Sequence, residues 1–186
     1  MKSPPLFALV LSVLLALPVA AKEVGGVSFP DTVTAEGKTL QLNGAGLRKK
    51  VVFKVYAAGL YLETPSTDAQ QAIGSDQVKR VRMSMLRDLD KKTITDAIVD
   101  GFKANAGGKL ATLQQRLDTF SAAIPDLKKG DELVLTYAPG KGTTIESKGG
   151  QKISVEGKDF ADALFSVWLG KSPVDGGLKD GMLGKE

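Results

Sequence analysis

The sequence predicts an α+β fold in which a large antiparallel sheet is covered on one face by a layer of helices. Strand-like segments come first, two amphipathic helical segments occupy the middle, and a hairpin-rich segment at residues 132–155 precedes two closing helices. The short turns favour antiparallel pairing, because parallel strands need long crossover connections. The sequence has no repeat, low-complexity segment or linker, so we expect residues 22–186 to form one domain.

The first 21 residues have the pattern of a secretory signal peptide. A basic start at Lys2, an apolar run over residues 6–17 and the small residues Val19, Ala20 and Ala21 make up this pattern. The apolar run is shorter than the roughly 20 residues that span a bilayer, so we expect no permanent membrane span. Cleavage near Ala21 would then give a periplasmic or secreted protein. A retained N-terminal anchor is the alternative.

The composition excludes several classes of function. The chain has no histidine and no cysteine, and therefore no Ser-His-Asp triad, imidazole or thiolate metal site, or disulfide. Its 25 basic and 21 acidic residues give a formal net charge of +4, spread evenly along the chain. That charge does not predict a nucleic-acid partner. We also expect neither a metal ion nor a cofactor.

The most strand-like stretch covers residues 51–62, which are apolar on both faces. A strand of this kind is usually covered on both sides, so we expect it near the centre of the sheet. Asn43 and Gly44 precede it and predict a hairpin turn. The nearby Gly44-Ala45-Gly46 lacks a third glycine and leads into a strand, which argues against a phosphate-binding loop.

Small residues interrupt this strand at Ala57, Ala58 and Gly59. Either a helix packs tightly on them, or they form the floor of a ligand cavity. In the second case Arg48 and Tyr56 would be its polar groups. For Arg48, an ion pair or a hydrogen bond to backbone carbonyls at the end of the sheet is the alternative.

The remaining elements follow from hydrophobic periodicity and turn signals. Strands are predicted at residues 24–29, 33–35, 39–42, 78–87, 132–138, 143–147 and 152–155. A short helix should begin at Thr67, with Gln70 completing a capping box, and the last should begin at Ser172. Two central helices carry apolar stripes, which include Ile94 and Ile98 in the first. They face the core and would roof any cavity. Residues 159–169 form another amphipathic helix.

Two segments resemble the chalcone isomerase superfamily, and the secreted bacterial chalcone isomerase-like branch in particular. They are Leu-Asn-Gly-Ala-Gly-Leu-Arg at 42–48 with Val-Tyr-Ala-Ala-Gly-Leu-Tyr-Leu-Glu at 55–63, and Ala-Leu-Phe-Ser-Val-Trp-Leu-Gly at 163–170. The resemblance implies an open-faced β-sandwich, with a ligand cleft between the sheet and the helices. It also places Arg48 on the arginine that the family uses in its cleft.

The resemblance favours binding over catalysis. Tyr56 stands where the enzymes have a threonine, and a tyrosine there resembles the fatty-acid-binding members, whose arginine and tyrosine hold a carboxylate. The polar residues of the enzymes would align near Ile94, Gly101 and Val167, which are apolar here. We therefore expect a non-catalytic protein that binds a small amphipathic carboxylate, such as a fatty acid.

The sequence also allows two other functions. The first is an intramolecular lyase or isomerase acting on a chalcone-like α,β-unsaturated ketone, with Arg48 and Tyr56 as its catalytic residues. The second is a purely structural envelope protein without a pocket. The residues that we expect to bind the ligand are Arg48, Tyr56, Ala57, Ala58, Gly59, Ile94, Ile98 and Val167.

Overall fold

A computed structural model describes residues 21–185. The predicted signal peptide therefore lies outside the described residues, apart from Ala21, which begins the first strand. The strands are β1 (Ala21–Val24), β2 (Val27–Pro30), β3 (Thr32–Ala35), β4 (Lys38–Lys50), β5 (Phe53–Leu62), β6 (Lys79–Met85), β7 (Glu132–Ala138), β8 (Gly142–Ser147) and β9 (Ile153–Val155). The helices are α1 (Ala69–Gly74), α2 (Lys91–Ala106), α3 (Leu110–Ala122), α4 (Lys158–Leu169) and α5 (Gly176–Met182).

The predicted α+β fold is confirmed. Strands β3 to β9 form one sheet in sequence order, and every neighbouring pair is antiparallel. Strands β1 and β2 form a separate hairpin. Strand β5 lies inside the sheet, and each of its residues from Val55 to Leu62 is buried. This agrees with the two apolar faces read from its sequence. Within residues 21–185, no helix is long and apolar enough to cross a bilayer.

The helices cover one face of the sheet, and the stripes predicted for α2 and α3 are buried as expected. Ile94, Ile98 and Phe102 of α2 join Leu113 and Leu117 of α3 in the main core. Asp90 caps the N-terminus of α2, because its carboxylate accepts a hydrogen bond from the Thr93 amide at 2.6 Å. This cap fixes the start of α2 close to the end of β6, where the candidate site lies.

Part of the opposite face is covered by the β1–β2 hairpin, through a second core cluster that includes Phe29, Ala57 and Tyr61. A Cβ atom at Gly59 would lie only 2.6 Å from Cδ1 of Phe29. The small residues Ala57 and Gly59 therefore make room for the Phe29 ring. Their prediction as a cavity floor under the helices is wrong, because they face away from the helices.

The hairpin turn predicted at Asn43 and Gly44 is also wrong, since β4 runs through both residues to Lys50. Leu42 pairs with Tyr61 and Gly44 with Leu60, so Asn43 is the extra residue of a β-bulge. The side-chain nitrogen of Asn43 donates a hydrogen bond to the Met182 carbonyl oxygen at 2.8 Å. Its side-chain oxygen accepts one from the Ser66 backbone amide at 2.6 Å. These bonds hold Asn43 within the strand.

The turn lies instead at Val51 and Val52, which were predicted as the start of a strand. Val51 has φ +57°, a left-handed conformation that is unfavourable for a β-branched residue. The starts of two short helices also differ from prediction. Asp68 caps α1 in place of Thr67, and Asp175 caps α5 in place of Ser172. In both, a carboxylate accepts an amide hydrogen of the first turn.

Gly44 and Gly46 let α5 lie directly on β4. A Cβ atom at Gly44 would lie 2.3 Å from the Gly181 carbonyl oxygen, and one at Gly46 would lie 2.8 Å from that of Leu178. Only hydrogen atoms fit between this face of the strand and the helix backbone. The Gly-Ala-Gly segment is therefore a packing feature of the sheet.

Candidate functional site

A cavity of about 30 Å³ lies between α2 and the sheet, next to α4. A cavity of this size has room for about two water molecules. Most of its lining is apolar. The lining residues are Arg48, Val55, Tyr56, Met83, Met85, Leu89, Thr93, Ala97, Ile94, Ile98, Val167, Trp168 and Val174.

A second β-bulge, on β5, directs two successive side chains to this cavity. Arg48 pairs with Tyr56 and Lys49 with Lys54, which leaves Val55 as the extra residue. In a regular strand Val55 and Tyr56 would point to opposite faces. The bulge allows both to line the cavity, which is a common use of bulges beside functional sites.

Arg48 is a half-buried cation without a carboxylate partner. Among the described residues, no acidic oxygen lies within 4.0 Å of its guanidinium. The guanidinium carbon stands 5.5 Å from the centre of the Tyr56 ring, a cation–π contact between cross-strand neighbours. Of the alternatives open at the sequence level, the structural ion pair is therefore not present within the described part of the chain.

The Tyr56 hydroxyl is held in place by Trp168. The indole Nε1 of Trp168 donates a hydrogen bond to the Tyr56 oxygen at 2.9 Å, and both side chains are buried. Burial raises the pKa of the Tyr56 phenol, and the nearby positive charge of Arg48 opposes this rise. Tyr56 is therefore protonated at neutral pH. Because its oxygen accepts from Trp168, its own proton is free to be donated to a ligand.

This hydrogen bond predicts that Tyr56 contributes to folding as well as to the site. Tyr56→Phe would leave the buried Trp168 N–H without an acceptor, and we expect it to lower the free energy of unfolding by about 1–3 kcal/mol. Chemical denaturation measures the loss. Tyr61→Phe is a matched control, since the buried Tyr61 hydroxyl lies near Arg82 but makes no hydrogen bond of regular geometry within the described residues. Equal stabilities of the two variants would contradict the assignment.

Outside the cavity lies a wider, more polar cleft of about 670 Å³. It shares Arg48, Val55, Leu89, Thr93 and Ala97 with the cavity, so these residues form the neck between the two. The remaining residues of the cleft are Lys50, Val51, Phe53, Arg87, Asp88, Asp90, Asp96 and Asp100. Arg48 therefore stands where a polar entrance meets an apolar interior.

The structure brings together five of the eight predicted site residues: Arg48, Tyr56, Ile94, Ile98 and Val167. Ala58 faces the main core but does not line the cavity, while Ala57 and Gly59 lie on the opposite face. Whether any of them contacts a ligand stays a prediction.

Sequence reasoning missed several lining residues, including Met83, Met85, Thr93 and Trp168. Met83 and Met85 alternate with polar residues along β6, and Trp168 belongs to the amphipathic helix predicted at residues 159–169. These two patterns are the signals that could have identified them.

The fold and the cleft define a class of α+β proteins with a small, mostly apolar site between an antiparallel sheet and its helices. The chalcone isomerase-like family model matches residues 21–184. The chain belongs to this family. A crystal structure of a fatty-acid-binding protein from Arabidopsis thaliana has a similar fold, with a TM-score of 0.66 and 18% sequence identity. The similarity covers 85% of this chain and 92% of that one. None of the curated proteins compared with the chain matches it.

Proposed function

We propose that the protein binds a small amphipathic carboxylate, with a fatty acid as the simplest case. The observation that carries this proposal is the Arg48 guanidinium at the neck of an apolar cavity, which contacts Tyr56 but pairs with no carboxylate within residues 21–185. A half-buried cation without a counter-charge favours a ligand that supplies one. The similarity in fold to a protein that binds fatty acids supports the same function.

The carboxylate would lie at the neck, between Arg48 and Tyr56. Arg48 would form charge-assisted hydrogen bonds to it, and the protonated Tyr56 hydroxyl would donate another. Thr93, on the first turn of α2, adds a further polar side chain to the neck. The apolar part of the ligand would lie inward among Met83, Met85 and the α2 side chains, where each buried methylene contributes about 0.8 kcal/mol.

The size of the cavity means that this binding requires an opening movement. About 30 Å³ is too little for an acyl chain of many carbons. Met83 and Met85 are unbranched side chains that can repack, and α2 forms the roof of the cavity. We therefore expect ligand binding to shift α2 away from β6, and the fit to favour short or medium-length chains.

Arg48→Ala is expected to weaken fatty-acid binding by roughly ten- to a hundred-fold, the loss of hydrogen bonds to a charged group. Its stability should change by less than about 1 kcal/mol, because no buried partner is left uncompensated. Titration calorimetry on delipidated protein with acids of increasing chain length, together with chemical denaturation, measures both effects. Arg48→Lys is the matched control, which keeps the charge but loses the planar guanidinium. If Arg48→Ala unfolds several kcal/mol more easily, the arginine is a structural tie.

Native mass spectrometry of protein purified from its own source, followed by lipid extraction, identifies the ligand. A clean apo protein that also ignores added fatty acids would refute the proposal. The catalytic alternative makes a different prediction, namely turnover of chalcone-like ketones that Arg48→Ala abolishes. Ile94, Gly101 and Val167 argue against that alternative, since they offer no polar group where the enzymes of the superfamily carry theirs.

We also propose that the domain acts outside the cytoplasm after cleavage near Ala21, as the N-terminal sequence predicts. N-terminal sequencing of the mature protein from fractionated cells tests this. A protein that keeps Met1 and stays in the cytoplasm would refute it.

A further inference from the structure

The tip of the β4–β5 hairpin exposes apolar side chains at the entrance of the outer cleft. We define the hairpin tip as residues 49–54. Val51 is 89% exposed, Val52 79% and Phe53 59%. Within residues 21–185, these three are the large hydrophobic side chains that are mostly exposed to solvent. Neighbouring large apolar side chains on the surface usually mark an interaction site.

The backbone of the tip is strained at Val51. Val51 adopts φ +57°, where a β-branched side chain is disfavoured. Asparagine or glycine would make this tight turn at lower cost. The apolar side chains are therefore not required by the turn itself, and their placement calls for an explanation outside the fold.

Basic side chains surround these apolar residues. Lys49, Lys50 and Lys54 belong to the tip and are exposed. The Arg87 guanidinium carbon stands 5.3 Å from the centre of the Phe53 ring. An apolar tip within a basic collar is complementary to an anionic lipid surface, where lysines bind headgroups and apolar side chains enter the acyl boundary.

The tip itself contains no acidic residue, although the Asp175 carboxylate accepts a hydrogen bond from the Lys49 amide at 3.0 Å, and four aspartates line the cleft beside it. Asp88 forms an ion pair with Lys128, and Asp96 forms one with Lys92. Asp90 accepts the Thr93 amide at the start of α2, and Asp100 also faces the cleft. Much of the acidic charge is thus engaged within the protein, while the tip keeps its basic character.

We propose that the hairpin tip docks on an anionic lipid bilayer, with Val51, Val52 and Phe53 inserted at the interface and the lysines among the headgroups. Three side chains on a narrow turn offer much less than the roughly 1,000 Å² that a specific protein–protein interface buries. A bilayer can bind so small an apolar surface because the surrounding charges add to the affinity. Docking would bring the cleft entrance to the membrane, and it does not depend on fatty-acid binding.

Flotation of delipidated protein with vesicles tests the docking. One set of vesicles contains equimolar phosphatidylcholine and phosphatidylglycerol, and the other contains phosphatidylcholine alone. Protein is made both as the full chain and from residue 22 onward, because the apolar run at 6–17 can bind lipid by itself. We expect both forms to bind the anionic vesicles and high salt to weaken the binding. If protein beginning at residue 22 stays unbound, the proposal is overturned.

Two variants of the tip separate the apolar and ionic contributions. V51N/V52S/F53T removes the apolar side chains of the tip. Asn is compatible with the left-handed turn, and Thr is compatible with the strand. We expect this variant to lose at least about ten-fold in affinity for the anionic vesicles. K50Q/K54Q should lose about twenty-five-fold, from roughly five-fold per lysine. K38Q/K141Q is the matched control at the opposite end of the sheet and should bind like the wild type.

An inserted reporter gives an independent measurement. The chain has one tryptophan, Trp168, which is buried and provides a constant background. We expect the emission of V52W to shift to shorter wavelength on anionic vesicles, and lipids brominated in the acyl chains to quench it. Equal vesicle binding by V51N/V52S/F53T and K38Q/K141Q would overturn the proposal. So would a wild type that ignores vesicles but forms a dimer that the tip variant loses, since the occupant would then be a second copy of the chain.

Discussion

Gly44→Ala is expected to lower the free energy of unfolding by about 3 kcal/mol or more, at the upper end of what overpacking costs. The new Cβ would lie 2.3 Å from the Gly181 carbonyl oxygen and 2.9 Å from that of Met182. Backbone atoms cannot rotate away as a side chain can, so α5 has to move as a unit. That movement would loosen Leu178, Met182 and Leu183, which are all completely buried.

Gly74→Ala is the matched control for this prediction. Gly74 ends α1, has no positive φ, and has no atom within 4 Å of an added Cβ. The same change there should be neutral or stabilising by up to about 1 kcal/mol, since alanine restricts the unfolded chain. Chemical denaturation compares the two variants, and hydrogen exchange in α5 reports whether the helix detaches locally. A Gly44→Ala protein as stable as the wild type would show that the spacing between β4 and α5 adjusts freely.

Local periodicity was sufficient for the class of fold. The burial of β5 and the stripes of α2 and α3 follow from repeats of about two and four residues. Each depends on residues within one segment and on whether that segment faces a core. The antiparallel pairing within β3 to β5 and within β7 to β9 followed in turn from short connections, whereas the connections on either side of β6 contain helices.

The exact turns and faces depended on partners that are distant in sequence. Asn43 and Gly44 have the sequence of a hairpin turn, but Asn43 is held in a bulge by Met182 and Ser66. Ala57 and Gly59 are small because Phe29 packs on them from the β1–β2 hairpin. No local pattern shows which of two apolar faces receives a hairpin and which receives helices.

The polar residues of the candidate site could be predicted from the sequence better than the apolar residues that line it. The resemblance placed Arg48 and Tyr56 together, and the register of β4 and β5 makes them direct neighbours. The bulge at Val55 could not be read from alternation, because a bulge is defined by the count of residues on two strands. The contact between Trp168 and Tyr56 joins residues 112 positions apart, beyond the reach of any local pattern.

Lys79 is expected to give folding a marked dependence on pH. Its side chain is completely buried at the start of β6, close to the end of α1. The ammonium donates hydrogen bonds to the carbonyls of Ala72 and Ile73, and its nitrogen lies 3.8 Å from Asp162. Burial nonetheless lowers the pKa of Lys79 to about 8, because the loss of hydration outweighs the attraction of Asp162.

The sign of the effect follows from the protons bound in each state. Between pH 8 and 10.5 the unfolded chain keeps the Lys79 proton while the folded chain releases it, so raising the pH favours the folded state. The contribution reaches roughly 3 kcal/mol above pH 10.5 and is lost as the pH falls through 8. Burial also raises the pKa values of Tyr56 and Tyr137. Ionisation of these tyrosines in the unfolded chain should therefore reduce stability above about pH 10.

Comparing the wild type with Lys79→Met isolates the lysine, because the tyrosines are present in both proteins. We expect the difference in unfolding free energy, wild type minus variant, to rise by roughly 3 kcal/mol between pH 8 and 10.5. Urea denaturation at half-unit pH intervals measures it. Lys109→Met, which removes the positive charge of an exposed lysine, is the control variant. If Lys79→Met gives a flat difference over this range, Lys79 keeps its ordinary pKa, and the α1 carbonyls and Asp162 fully offset its burial.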